Sequence, residues 1–329
     1  MSTTSKSPRK VALVALAIAE QSLPAYSHRF SPRLFTQPQL FACLAIKTFF
    51  RTDYRGVTAI LNDMPDLCRA IGLMKIPHFT TLQKAARRLM ASAVSKKLLE
   101  GTIHQALGEQ PQIELAAVDS TGMESHHISR YFVRRRSRLA TLWQTTYYTR
   151  YPKFGIVCDC QSHIILSTLR KRGPTPDINQ LRQTLLPAVG RAKIKVLLAD
   201  AGYDSEANHT FTRETLGIET IIPARHGRPG KHPPKGKYRR LMREEFDSER
   251  YGQRWQVETI FSMIKRNLGS ALHARSYWSQ SRELMLLAIT HNVMIIMPVE
   301  LFYRAVLTPF SALNFLTQDL LTPIPLHWV

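Results

Sequence analysis

Two aspartates stand where short apolar runs stop: residues 113–118 lead into Asp119, and residues 194–199 lead into Asp200. Runs this short, rich in Ile, Val, Leu and Ala, read as buried strands, and the carboxyl ends of such strands open into the crevice where α/β sheets bind ligands. Two such strands side by side would bring both carboxylates to the same cations. Oxygen-only ligands suit Mg2+, with Mn2+ as a substitute. A pair of these ions can activate an attacking oxygen and stabilise a leaving oxygen in an in-line phosphoryl displacement. Either aspartate taken alone is equally well explained as a cap on the turn or helix that follows.

A third acid sits in a row of polar residues. Tyr251, Arg254, Glu258 and Lys265 follow one another at offsets of three, seven and fourteen residues from the first. At about 100° per residue they fall within an arc of roughly 60° on a helix. Val257, Ile260, Phe261, Ile264 and Leu268 form an adjacent apolar stripe. The expectation is one long helix over about 242–268, packed by the stripe and holding the polar row along the site. Glu258 then joins Asp119 and Asp200 as a catalytic, metal-holding carboxylate. Arg254 offers a phosphate a planar fork and Lys265 a point charge. A solvated helix face with spaced charges explains the row alone just as well.

The elements that must position these groups divide by texture near residue 110. Before it the pattern is helical. Arg9 and Lys10 precede an apolar run over 11–19, too short for a convincing signal peptide and better read as an N-terminal helix. Val57, Ile60, Leu61 and Met64 recur at helical spacing until Pro65 breaks the run, with Asp66 placed to cap a second helix. Thr80 with Gln83 makes a capping-box pattern for a helix whose apolar face carries Leu82, Ala85 and Leu89 and whose basic face carries Lys84, Arg87 and Arg88. Short helices before a basic one fit a helix-turn-helix-like DNA reader, and equally a bundle with a solvated basic face.

From residue 111 strands and helices alternate. Residues 154–160 and 163–170 read as a strand pair turning at Gln161 and Ser162. Asp177 is placed to cap a helix through Val189, a helix covers about 206–216, and a strand about 218–223. This order predicts an α/β fold: a mixed sheet with flanking helices over 111–300, preceded by a helical DNA-binding region over 1–110 and followed by a tail over 301–329. The apolar stretch 284–303 is interrupted by His291, Asn292, Pro298 and Glu300, so it reads as a buried core helix rather than a membrane span.

Composition points to a polyanionic partner. Lys and Arg number 45 against 24 acids, a net charge of +21, and basic groups placed at phosphates release condensed counterions. Arg225, Arg228, Lys231, Lys235, Lys237, Arg239, Arg240 and Arg243 form a basic run without an intervening acid, set among glycines and prolines. Arg134, Arg135, Arg136 and Arg138 lie near Trp143, Tyr147 and Tyr148, rings able to stack on unpaired bases or simply to pack in a core. His126 and His127 are candidates for proton transfer, and Asp204 reads as a helix cap. The four cysteines show neither a disulfide framework nor zinc spacing, which fits a reducing, cytoplasmic setting.

Together these blocks resemble a known family. Tyr-x2-Arg-x3-Glu-x6-Lys is similar to the signature of a large group of bacterial insertion-sequence transposases, DDE enzymes with a ribonuclease H-like catalytic domain. Val118-Asp119-Ser120-Thr121-Gly122 resembles the first aspartate block, and Leu198-Ala199-Asp200-Ala201-Gly202-Tyr203-Asp204 the second. The resemblance spans about 110–297, and more weakly 54–89. It implies Mg2+-dependent cleavage at the terminal inverted repeats of an element, then strand transfer of the freed 3′-hydroxyl into target DNA. It also implies that Tyr251, Arg254 and Lys265 hold DNA phosphates, and that a homodimer pairs two ends. Longer members carry a β-strand insertion before the glutamate helix; here residues 201–257 leave room only for a small one or for the basic loop, which leaves a hairpin intermediate open. Two alternatives use the same features: a metal-dependent nuclease without strand transfer, and a catalytically silent DNA-binding protein derived from a transposase.

Overall fold

The computed structural model describes residues 4–125, 151–224 and 234–296, which belong to one compact unit. Six helices come first: α1 (Pro8–Ser22), α2 (Gln37–Phe49), α3 (Tyr54–Asp63), α4 (Pro65–Ala70), α5 (Phe79–Leu89) and α6 (Ser92–Leu107). The apolar run 11–19 is indeed a helix: Ser7 caps it by accepting from the Lys10 N–H, Pro8 opens it, and Val11, Ala15 and Ile18 are fully buried. In α2, Thr36 and Gln39 form a reciprocal capping box, and Phe41 to Ile46 are buried all round, so this helix is the centre of the helical region.

Two expected caps move. α5 begins at Phe79, and its cap is the His78 imidazole, which accepts from the Thr80 N–H; Thr80 and Gln83 already lie inside the first turn. Met64 stands at the cap of α4 without a side-chain bond, Pro65 opens that helix, and Asp66 lies in its first turn.

The sheet follows as β1 (Gln112–Gly122), β2 (Glu124–Ser125), β3 (Tyr151–Asp159) and β4 (Ile165–Gly173), then α7 (Leu181–Val189), β5 (Lys193–Ala199), α8 (Glu206–Thr210) and β6 (Glu219–Ile221). Five strands form one mixed sheet in the order β4-β3-β1-β5-β6. β3 is antiparallel to β1 and β4, while β5 is parallel to β1 and β6. This is a mixed α/β fold of ribonuclease H-like type, preceded by helices. β3 is buried along nearly its whole length, so helices cover both faces. The β3–β4 turn falls at Gln161 and Ser162, whose N–H groups donate to the Asp159 carboxylate.

The described residues close with α9 (Lys237–Glu244), α10 (Ser248–Gly252), α11 (Trp255–Leu268), β7 (Ala271–Leu272) and α12 (Tyr277–Ile295). The single helix expected over 242–268 is therefore three pieces. Asp247 caps α10 through the Arg250 N–H, and the chain tightens to i→i+3 bonds at Gln253, Arg254, Gln256 and Val257 before α11. The stripe on α11 packs as expected, with the Phe261 ring edge-on to Phe154 of β3 at 6.2 Å.

α12 is a buried core helix, and no described helix is long and apolar enough to cross a membrane. The two polar residues that interrupt its apolar run bind the β3–β4 corner. His291 Nε2–H donates to the His163 carbonyl at 3.1 Å. Asn292 Oδ1 accepts from the Ile165 N–H at 2.9 Å, and its Nδ2 donates to the Ile165 carbonyl and to Thr102 of α6. Helical region, last helix and sheet edge thus meet at one side chain.

Burial pushes the His291 imidazole down to about 4, from 6.5. A depressed folded value means stability present above 6.5 and lost as pH falls towards 4, amounting to about 3 kcal/mol at about 1.4 kcal/mol per pH unit. Chemical denaturation at pH 7 and pH 4 should show His291→Gln losing less stability than the unsubstituted chain by roughly this amount. Equal losses in the two proteins would refute it.

Candidate active site

The register of β1 and β5 creates the site. Their parallel pairing ends at Val118↔Ala199, and the next residues are Asp119 and Asp200. Adjacent strands lie about 4.8 Å apart, so the two carboxylates leave neighbouring backbones. β1 does not stop at Asp119 as its apolar run suggested. It continues to Gly122, because β3 goes on supplying antiparallel partners as far as Gly122↔Lys153. β5, without such a partner, turns away. The Asp200 carboxylate accepts from the Gly202 N–H, and a Cβ on residue 202 would stand 2.9 Å from that oxygen, which suits glycine there.

α11 brings up the third acid. Arg254, at its N-terminus, reaches Asp119 Oδ2 with Nη1 at 3.4 Å and Glu258 Oε1 with Nη2 at 2.5 Å. The Tyr251 ring lies 5.9 Å from the same guanidinium. Lys265 Nζ donates to Thr121 Oγ1 at 2.7 Å, two residues beyond Asp119 on the same strand. The row Tyr251, Arg254, Glu258 and Lys265 is thus drawn along the open end of β1, although Tyr251 belongs to a different helical piece from Glu258.

Charge at this place is poorly balanced. Burial raises the Asp119 carboxyl to about 6; the Ser120 N–H and Arg254 oppose the rise, and the charges of Asp200 and Asp177 add to it. Among the described residues no three His, Cys, Asp or Glu side chains group closely enough to hold an ion as they stand. The Arg254 guanidinium occupies the gap between Asp119 and Glu258. The donor chemistry nevertheless suits a hard divalent cation: oxygen ligands only, two of them adjacent, with more negative charge than Arg254 alone offsets.

Asp177 belongs to this neighbourhood rather than to a helix cap. It accepts from Ser120 Oγ at 2.7 Å and pairs with the buried Lys153 Nζ at 2.8 Å. The turn that it opens (Asp177–Asn179) precedes α7, which has no side-chain cap. Nothing local in the sequence marks this role, since Ser120 and Lys153 reach Asp177 only through the fold. Asp204, by contrast, is buried, gripped by Arg239 through Nε and Nη2, with His209 Nε2 at 3.6 Å.

The basic residues separate into groups. Lys84, Arg87 and Arg88 are exposed on α5, as are Lys235 and Arg240 near α9. Arg239, counted with them by charge, is engaged with Asp204. Arg225, Arg228, Lys231, Arg134, Arg135, Arg136, Arg138, Trp143, Tyr147, Tyr148, His126 and His127 lie outside the described residues, as does the tail.

A mixed sheet with two acids leaving adjacent strand ends, and a helix returning a third towards them, matches a known pattern. The family model described as the transposase DDE domain covers residues 110–293 of this chain. The chain belongs to the transposase DDE domain family. Its function is therefore of transposase type, acting on DNA, in a family that generally depends on divalent metal. Comparison with curated proteins gives no match.

Proposed function

We propose that this DDE transposase cleaves DNA at the terminal inverted repeats of an element and joins the freed 3′ ends to target DNA at one site. Asp119, Asp200 and Glu258 are its catalytic carboxylates and hold Mg2+, for which Mn2+ substitutes. When bound, the metal supplies Lewis-acid activation of the attacking oxygen and stabilisation of the leaving one. Water attacks phosphorus first and expels a 3′-oxygen, which takes up a proton. That 3′-hydroxyl then loses its proton and attacks a target phosphodiester, expelling the target strand's own 3′-oxygen, which takes up a proton. What chiefly supports this reading is the register that ends at Val118↔Ala199.

The rest of the row serves the DNA. Arg254, Lys265 and Tyr251 hold phosphates beside the cut. Lys84, Arg87, Arg88, Lys231, Lys235 and Arg240 extend the contact along the duplex, and Arg239 shapes the same surface from its anchor on Asp204. Residues 1–110 serve as the DNA-reading region, 111–300 as the catalytic domain and 301–329 as a tail. Two copies pair two ends, and the protein works in the cytoplasm, at the nucleoid.

Arg254 has a second consequence. Its guanidinium neutralises the acids that the metal must engage, so it competes with Mg2+ until a phosphate draws it away. Arg254→Ala should lower the Mg2+ concentration for half-maximal activity, yet slow cleavage by roughly tenfold or more through the lost charged hydrogen bonds. A titration in which the variant needs more Mg2+ would contradict this. The function itself is tested by supplying a donor duplex with the element's ends and a target plasmid. Joined product is expected; cleavage alone would leave a nuclease, and binding alone a silent relative.

A further inference from the structure

A cavity of about 460 Å3 lies away from the carboxylates, between α2, α3 and α5 and the N-terminal part of α12. Its volume lies within the range of small-molecule sites. The walls have two characters. Tyr54, Met90 and Leu286 provide an apolar side, while Lys47, Arg87, Arg275 and Arg282 provide four cations.

The acids of the lining are already committed. Asp53 accepts from the Gly56 N–H as the cap of α3. Glu283 accepts from the His273 and Ala274 N–H groups. Among the described residues none of the four cations makes a hydrogen bond or an ion pair within 4 Å; Lys47 Nζ sits 5.2 Å from the centre of the Tyr54 ring. Burial holds the Lys47 ammonium below its usual range, although Glu283 and Asp53 pull the other way. Four cations against the two carboxylates Asp53 and Glu283 leave the concavity net positive, which attracts an anion, and arginine forks match phosphate. An adjoining aromatic and thioether wall suits a planar base.

We propose that this cavity is a nucleotide subsite, in which Arg87, Arg275 and Arg282 take a phosphate and the wall of Tyr54, Met90 and Leu286 takes the base. The inference rests on the family's DNA substrate and not on strand transfer. The occupant is either one residue of a DNA strand or a free nucleotide, since both present the same phosphate and ring.

Photocrosslinking without metal tests this independently of cleavage. The probes are 5-iododeoxyuridine monophosphate and a single-stranded oligonucleotide carrying the same base. Tyr54 should be the crosslinked residue. The double variant Arg275→Ala/Arg282→Gln should reduce the yield by about tenfold, as expected for lost charged hydrogen bonds. Thermal melting of the variant verifies its fold, and Arg282→Lys, which keeps the charge, should recover part of the yield. Crosslinking by the oligonucleotide alone makes the occupant a strand residue; crosslinking by the monophosphate makes it a free nucleotide. No crosslink at Tyr54 with either probe, or an undiminished yield in a folded double variant, overturns the proposal.

Discussion

Glu258→Gln abolishes DNA cleavage, by about three orders of magnitude or more, while duplex binding stays within roughly twofold of the unsubstituted chain. The amide keeps the size of the side chain and one oxygen but loses the charge that a divalent ion requires. Losing about 4 kcal/mol of transition-state stabilisation is enough for a thousandfold effect. The fold should not suffer, because Glu258 is 57% exposed and among the described residues its ion pair is with Arg254; exposed pairs of this kind contribute little. Binding should not weaken either. The substitution removes a negative charge and releases Arg254 for phosphate. Cleavage that persists in Glu258→Gln, measured on a labelled end duplex with Mg2+, would remove Glu258 from the site.

The largest effect on stability should come from Asn292→Leu. This amide is fully buried, and its two ends satisfy both polar groups of the Ile165 backbone and the Thr102 hydroxyl. Leucine fills a similar volume and satisfies none of them. Three bonds are lost and the Ile165 backbone groups lose the amide, although the Thr102 hydroxyl keeps its bond to the Leu99 carbonyl, which together costs about 3–5 kcal/mol, a large share of the stability of an ordinary domain. The measurement is the midpoint of chemical denaturation. A change below about 1 kcal/mol would mean that water or a backbone shift replaces the amide.

How far the sequence reveals this molecule depends on whether a role is local. Asp119 and Asp200 were legible because strand burial is written in consecutive residues, and the helix of Glu258 because its stripe recurs every turn. The three-part form of 237–268 was not, since it depends on Asp247 capping α10 and on the Arg250 guanidinium reaching Glu219 of β6, 31 residues away. Asp177 looked like a cap because Ser120 lies 57 residues from it in sequence. Arg239 looked like a phosphate contact because charge alone does not reveal a buried partner such as Asp204. His291 and Asn292 argued against a membrane span, but only the fold shows what they bind.

In the proposed mechanism Asp119, Asp200 and Glu258 share a divalent ion. Mn2+ binding followed by electron paramagnetic resonance, on the full chain with an end duplex, addresses it without relying on turnover. Specifically bound Mn2+ should be present in the unsubstituted protein, displaced by Mg2+, and lost or weakened by at least about tenfold in Asp119→Asn, Asp200→Asn and Glu258→Gln alike, as expected when a ligand charge is removed. Mn2+ binding unchanged in all three variants would mean that these carboxylates do not hold the ion.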